Sequence, residues 1–358
     1  MTALPREDYR SIELYGSHQT QVELDLSDNT NLWGTNPAII DLMRSMSVEA
    51  LARYPEVYAD TLRDAVAERF NIGKECVTTG AGSDDLLDSA FRAAFSPGSV
   101  VSFPSPTFSM VSTLARMNGL EDHAVPWESA LADPSLLLKS KPAVVYICRP
   151  NNPTGALAPE DWVERLLGLR GPGGPLVVLD EAYADFAGET MIRRGIQTPS
   201  LLVVRTTSKA SGLAGIRCGF GVAKEEVVLE IEKSRGPYKV ARFAMEAAAT
   251  AVLDADEWTA QMVAKCVRNR ERLWSEISKR DLQPLGSRTN FILFAAPSGS
   301  AHDDALALRQ DGVAIRPFSD IPIIGEGLRV TVGPWPLMTR FLNVLDRHLS
   351  LLADKEAS

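Results

Sequence analysis

The chain has 358 residues, 37 Lys and Arg against 46 Asp and Glu, and a net charge of −9. Its length fits about two domains, and 45% hydrophobic with 23% charged residues is the balance of a globular chain that buries its own core. The acidic balance argues against nucleic acid or an anionic membrane surface as the main partner. Cys76, Cys148, Cys218 and Cys266 are far apart with no C-x-x-C pair, and the four histidines are scattered. Neither a disulfide framework nor a metal site is expected from them. Met1–Asp8 lacks the basic start and apolar stretch of a secretory signal, and no run of ~18 apolar residues could span a bilayer. The expected location is the reducing cytoplasm.

In chain order, helical patterns cover Asp84 to Phe95, Phe108 to Met117 and Pro159 to Leu169. Short, continuously apolar runs between and after them read as strands: Val100 to Phe103, Ala143 to Ile147, Leu176 to Leu179 and Leu201 to Val204. Such runs suit strands covered on both faces, and strand–helix alternation implies a mostly parallel sheet flanked by helices. Gly171-Pro172-Gly173-Gly174-Pro175 reads as a tight helix-to-strand turn. The last third predicts a smaller α+β domain. It has helices over Trp258 to Lys279, His302 to Gln310 and Leu337 to Leu351, with strands Asn290 to Phe294, Val313 to Arg316 and Leu328 to Val332.

The glycine-rich stretches give no nucleotide signature. Gly80-Ala81-Gly82 and Gly219-Phe220-Gly221 both lack the third glycine of a dinucleotide fingerprint, and no phosphate-binding P-loop or G-x-S-x-G elbow occurs. Three polar clusters instead follow predicted strands, where ligands of open α/β sheets bind. They are Arg149-Pro150-Asn151-Asn152-Pro153-Thr154-Gly155, Asp180-Glu181-Ala182-Tyr183 and Thr206-Thr207-Ser208-Lys209, with Arg217 eight residues after Lys209.

This ordered set resembles the fold-type I pyridoxal-phosphate aminotransferases (class I/II), and within them the histidinol-phosphate aminotransferase family. Leu26 to Asn31, Arg53-Tyr54-Pro55-Glu56, Gly82-Ser83-Asp84, Pro106 to Met110 and Leu328 to Gly333 carry the likeness further, from about residue 15 to residue 333. The resemblance implies an α/β fold with a large, mostly parallel cofactor-binding domain over about 46–245. A smaller α+β domain over 246–358 would be joined by the N-terminal segment 1–45.

The resemblance also assigns roles. Lys209 would attach pyridoxal 5'-phosphate as a Schiff base, with its pKa depressed by its surroundings. Asp180 would pair with the protonated pyridine nitrogen, while Tyr183 and Asn152 would donate to the ring's phenolic oxygen. Phe108 would stack on the ring, at a place where the family usually carries tyrosine. Ser83 and the backbone of Asp84 at a helix start, with Thr206, Ser208 and Arg217, would hold the phosphate. Tyr54 would reach the phosphate of the other subunit in a homodimer with shared sites. Arg329 would hold the anionic end of the substrate, with Arg340 as a second cation and Tyr15 and Asn29 lining the pocket.

The implied reaction passes an amino group from L-histidinol phosphate to 2-oxoglutarate, giving imidazole acetol phosphate and L-glutamate in histidine biosynthesis. Two places depart from the family pattern, Pro334-Trp335-Pro336 and Gly16-Ser17-His18. Both leave open an aromatic amino-acid aminotransferase, with Trp335 replacing an anion contact by stacking, or a related decarboxylase acting on threonine phosphate. A non-catalytic pyridoxal-phosphate sensor lacks support because no basic DNA-binding extension precedes the motifs.

Overall fold

The computed structural model describes residues 9, 10, 12, 22–94 and 96–356. After β1 (Leu24–Asp25) come three helices that the sequence reading did not anticipate: α1 (Pro37–Ser45), α2 (Val48–Ala52) and α3 (Asp60–Phe70). Side-chain oxygens of Asn36 and Ser47 accept from the N–H groups of Ala38 and Ala50 and cap α1 and α2. Pro37 takes the first position of α1, where no N–H is needed. Burying Leu62, Ala65 and Val66 at i, i+3 and i+4 spacing fixes the inner face of α3.

Strands and helices then alternate: β2 (Val77–Gly80), α4 (Ser83–Ala94), β3 (Val100–Ser105), α5 (Met110–Met117), β4 (Glu121–Pro126) and α6 (Trp127–Ala132). They continue as β5 (Val144–Cys148), α7 (Glu160–Leu169), β6 (Leu176–Asp180), α8 (Ala184–Ala187), α9 (Ile192–Gln197), β7 (Leu201–Thr206) and β8 (Gly219–Val222). One seven-stranded sheet results, in the order β2-β8-β7-β6-β5-β3-β4. β4, β3, β5, β6 and β7 are parallel, and β8 alone runs antiparallel to its neighbours β7 and β2. The expected mostly parallel sheet is present, and its four expected strands lie within two residues of their observed bounds.

Both faces are covered, as the continuous apolar runs require. Along β5, Val145 and Ile147 join the cluster of Leu62, Trp162, Leu166 and Met245 beneath α3, α7 and α11 (Arg242–Leu253). Val144, Tyr146 and Cys148 face the opposite side, with Leu86, Phe91 and Val111 beneath α4, α5 and α10 (Glu225–Ser234). The alternation is the period-2 geometry of a strand. α11 passes through residue 245 and places Ala244, Met245, Ala248 and Val252 in the core of the large sheet.

Beyond a π-helical turn at Ala255–Thr259 lie α12 (Ala260–Ser278), β9 (Phe291–Ala295), α13 (Ala301–Gln310), β10 (Val313–Ala314), β11 (Arg316–Ile321), β12 (Gly325–Thr331) and α14 (Trp335–Glu356). β11, β12 and β9 form an antiparallel sheet in that order. The single strand expected over Val313 to Arg316 is two, because the chain changes partner at buried Ile315. β10 pairs with β1, whereas β11 pairs with β12. The N-terminal strand is thereby fastened to the C-terminal part of the chain. Among the described residues no helix is long and apolar enough to cross a membrane.

Candidate active site

A cleft of about 910 Å³ opens where the carboxyl ends of β5, β6 and β7 meet the start of α4, the segment after β1 and the sheet of β11 and β12. Asp180 ends β6 at the cleft wall and is 3% exposed. Its Oδ2 accepts from the Tyr146 hydroxyl at 2.7 Å and its Oδ1 from the Ala182 N–H at 3.0 Å. Burial raises its pKa to about 6, against the lowering effect of those two donors. Glu181 points the other way, buried with Arg205, Thr190 and the Met191 N–H, and so anchors the turn from behind.

Lys209 lies half-buried in the cleft, three residues beyond β7, with its Nζ donating to the Asp28 carbonyl at 3.0 Å. Burial, then the positive charge of Arg329, lowers its pKa to about 8. Tyr183 follows Asp180 by three residues and reaches the cleft from the adjoining turn, where its hydroxyl accepts from Asn29 Nδ2 at 2.9 Å. Burial raises its pKa as well. Asn152 Oδ1 accepts from Arg329 at 2.5 Å, and Arg329 also donates to the Ser27 carbonyl at 2.6 Å. Phe108 is half-buried on the cleft wall just before α5. Its expected place as the first residue of that helix is corrected, since α5 starts at Met110.

A cradle for an anion sits at the start of α4. Gly82 has a φ of +91°, and a Cβ there would come within 2.8 Å of an Arg217 guanidinium nitrogen. Glycine therefore admits the guanidinium against the helix start, where the preceding residue has no side chain to cap the first N–H groups. Arg217 meets Asp84 at 3.4 Å, and buried Thr206 donates to Ser208 at 3.0 Å beside them. A buried carboxylate, a lysine of lowered pKa and an anion cradle on three neighbouring strand ends fit pyridoxal phosphate. Asp180 would meet its ring nitrogen, Lys209 its aldehyde carbon, and the Ser83–Arg217 cradle its phosphate.

Twelve of the expected site residues line one cleft. Three do not. Tyr54 is 80% exposed and stacks on Tyr238 with ring centroids 4.9 Å apart, outside this chain's own cleft. Arg340 does not reach the cleft: it sits on the outer side of α14 in an ion pair with Glu23, a correction to its place as second cation. Tyr15 lies outside the described residues. Trp335 also stays out of the cleft, stacked under the Arg272 guanidinium at 3.5 Å.

The sequence reading missed two groups. In the sequence Tyr146 reads as one residue of an apolar strand, yet its hydroxyl ends on Asp180. Arg316 reads as a strand end, yet it lines the cleft as the direct cross-strand partner of Arg329. A charged residue thirteen positions before Arg329, at the start of an alternating run, was the available signal.

Fold and site together define a pyridoxal-phosphate enzyme. The aminotransferase class I and II profile matches residues 21–345. Histidinol-phosphate aminotransferase of Ruminiclostridium cellulolyticum is 31% identical over 92% of this chain and 94% of that protein. An aromatic amino acid aminotransferase of Streptomyces avermitilis is also 31% identical, over 91% and 90%. The crystal structure of histidinol-phosphate aminotransferase from Sinorhizobium meliloti with pyridoxal-5'-phosphate superposes with a TM-score of 0.89 at 22% identity, covering 98% and 99% of the two chains. The chain belongs to the class I and II aminotransferase family and is a pyridoxal-phosphate-dependent aminotransferase.

Proposed function

We propose that the enzyme transfers the amino group of L-histidinol phosphate to 2-oxoglutarate, and that Arg316 and Arg329 hold the donor's phosphate. The carrying observation is their register: they are directly opposed on antiparallel β11 and β12, so both side chains lie on one face of that sheet, at the cleft. Like charges placed so repel, and a bound dianion would offset the cost. Arg329 is further flanked by the Phe291 and Phe318 rings, with its guanidinium carbon 5.1 and 5.2 Å from their centroids. The seating of Trp335 against Arg272 removes the feature that favoured an aromatic donor.

Bound pyridoxal phosphate supplies the carbon that takes up the amino group and a cationic ring that draws electron density from the donor's Cα. The protein's share of the chemistry falls to its own side chains. Asp180, as a buried anion at the cleft wall, would keep the ring nitrogen protonated. Lys209, with a pKa of about 8, would remove the proton from Cα and deliver it to the carbon on the other side of the transferred nitrogen. Tyr183, Asn152 and Phe108 orient the ring, and Ser83, Thr206, Ser208 and Arg217 hold its phosphate.

The site is completed, in this reading, by a second copy of the chain. Met43, Val48, Leu51 and Tyr54 form an exposed apolar run, 53–82% accessible, on α1, α2 and the turn that follows. Covering that run with its equal in a homodimer would carry each Tyr54 away from its own cleft toward the partner's. The substrate assignment is tested by kcat/KM for histidinol phosphate, histidine, phenylalanine and tyrosine with 2-oxoglutarate as acceptor. The phosphate donor should lead. A tenfold preference for phenylalanine or tyrosine, worth about 1.4 kcal/mol, would give the enzyme to aromatic amino acids instead.

A further inference from the structure

Tyr146 is fully buried in the middle of β5, among Val178, Leu202 and Val204. A phenylalanine would pack there as well, and a phenol in such surroundings is costly unless its hydroxyl is satisfied. That hydroxyl donates to Asp180 Oδ2, at 2.7 Å. Cys148 pairs with Asp180 in the parallel register, so Tyr146, two residues earlier on the same face of β5, lies beneath the carboxylate on the core side. Tyr146 does not line the cleft, whereas Asp180 does. With Ala182 N–H on Oδ1 and the phenol on Oδ2, each oxygen has one protein donor, and the plane of the carboxylate is fixed from behind.

We propose that Tyr146 is a positioning residue for amino transfer: its hydroxyl holds the Asp180 carboxylate in place and ionised for the ring nitrogen of pyridoxal phosphate. The inference rests on the role given to Asp180 above. The cations of the cleft, Lys209 and Arg217, favour the charge of Asp180 from the open side, whereas the other groups packed around it do not. Asp84 on α4 and the adjacent Glu181 disfavour it, and the Cys148 and Tyr183 side chains are held neutral by burial. The Tyr146 hydroxyl is the strongest influence that lowers the Asp180 pKa against the cost of burial. A hydrogen bond donated to a charged group favours its charged form, and so bears directly on the ionisation of a carboxylate whose pKa is about 6.

The test exchanges Tyr146→Phe, Asp180→Asn and both together, with circular dichroism as the check on folding. Equilibrium binding of pyridoxal phosphate to cofactor-free protein from pH 5 to 9 is the first readout, and kcat and KM are the second. For Tyr146→Phe the acid limb of the binding profile should move up by about one unit, affinity at pH 7 should fall several-fold, and kcat should fall with little change in KM. In the Asp180→Asn background the same exchange should change affinity and kcat less than twofold, because the carboxylate it serves is gone. That comparison needs no buried charge to survive, so it decides the matter even if the single exchange is poorly stable.

An unmoved acid limb in Tyr146→Phe, or a further loss beyond threefold in the Asp180→Asn background, overturns the proposal. If Asp180→Asn itself leaves affinity and kcat unchanged, the assignment of Asp180 fails first. An effect of Asp180→Asn without one of Tyr146→Phe leaves that assignment standing and removes only Tyr146.

Discussion

The amine of Lys209 donates to the backbone carbonyl of Asp28, 3.0 Å away, tying the end of the large sheet to the segment behind β1. The bond joins two parts of the cleft wall that lie 181 positions apart in sequence. With burial and Arg329 lowering its pKa to about 8, the lysine becomes a competent nucleophile close to physiological pH.

The rate of cofactor attachment to cofactor-free protein should therefore follow the neutral amine. It should rise about tenfold per unit between pH 6 and 7, bend near pH 8 and level off above it. Stopped-flow absorbance of the cofactor gives the curve directly. A rise that continues unbent to pH 10 would show a lysine with its ordinary pKa.

Asp180 makes a stability prediction whose sign runs opposite to that of a salt-bridged carboxylate. Its folded pKa of about 6 lies above the ordinary value, so folding favours the protonated form. The handicap grows as pH rises from the unfolded pKa through the folded one, and it adds about 1.4 kcal/mol between pH 5 and 8. Urea unfolding of cofactor-free Asp180→Asn and the parent at both pH values should show the variant gaining relative stability by that amount at pH 8. Turnover should fall by two to four decades, on the order of 3–5 kcal/mol of transition-state stabilisation. A loss under threefold would mean that another group serves the ring nitrogen.

Three arginines separate cleanly in kinetics. Arg316→Ala and Arg329→Ala should each raise KM for histidinol phosphate by tenfold or more, and by much less for histidinol, which has no phosphate. Arg340→Ala should stay within twofold for both, since its partner is Glu23 on the surface. Equal KM effects on both donors would take the arginines away from the phosphate.

Much of the large sheet was legible because its strands are buried on both faces and each functional cluster follows one of them. Asp180, Thr206 and the Asn152 turn announced themselves as polar residues closing apolar runs. β8 was hidden: Gly219 and Gly221 read as a failed nucleotide motif, yet a Cβ at Gly219 would lie 2.9 Å from the Ser83 nitrogen and the Arg205 carbonyl. The glycine there serves close packing of the strand against the anion cradle. Arg316 was obscured by the break at Ile315, where one apolar run feeds two sheets. Arg340 was misplaced because a position on a helix gives no face without its neighbours. Tyr146 was unreadable for a simpler reason: tyrosine is ordinary in a strand, and only the register with β6 shows where its oxygen ends.

Exposed Tyr54, stacked on Tyr238 away from its own cleft, predicts complementation between subunits. Lys209→Ala and Tyr54→Ala proteins, each impaired alone, should regain activity when mixed under conditions that exchange subunits. One site in each mixed dimer then carries neither lesion. Mixed dimers that form without recovering activity would show that each site uses its own chain's residues.

The most direct measurement is chemical: borohydride reduction of the purified holoenzyme followed by peptide mapping. The account predicts a single pyridoxyl adduct on Lys209, in the peptide that also contains Thr206 and Ser208, and none in the Lys209→Ala protein. An adduct on any other lysine of the native enzyme would contradict it.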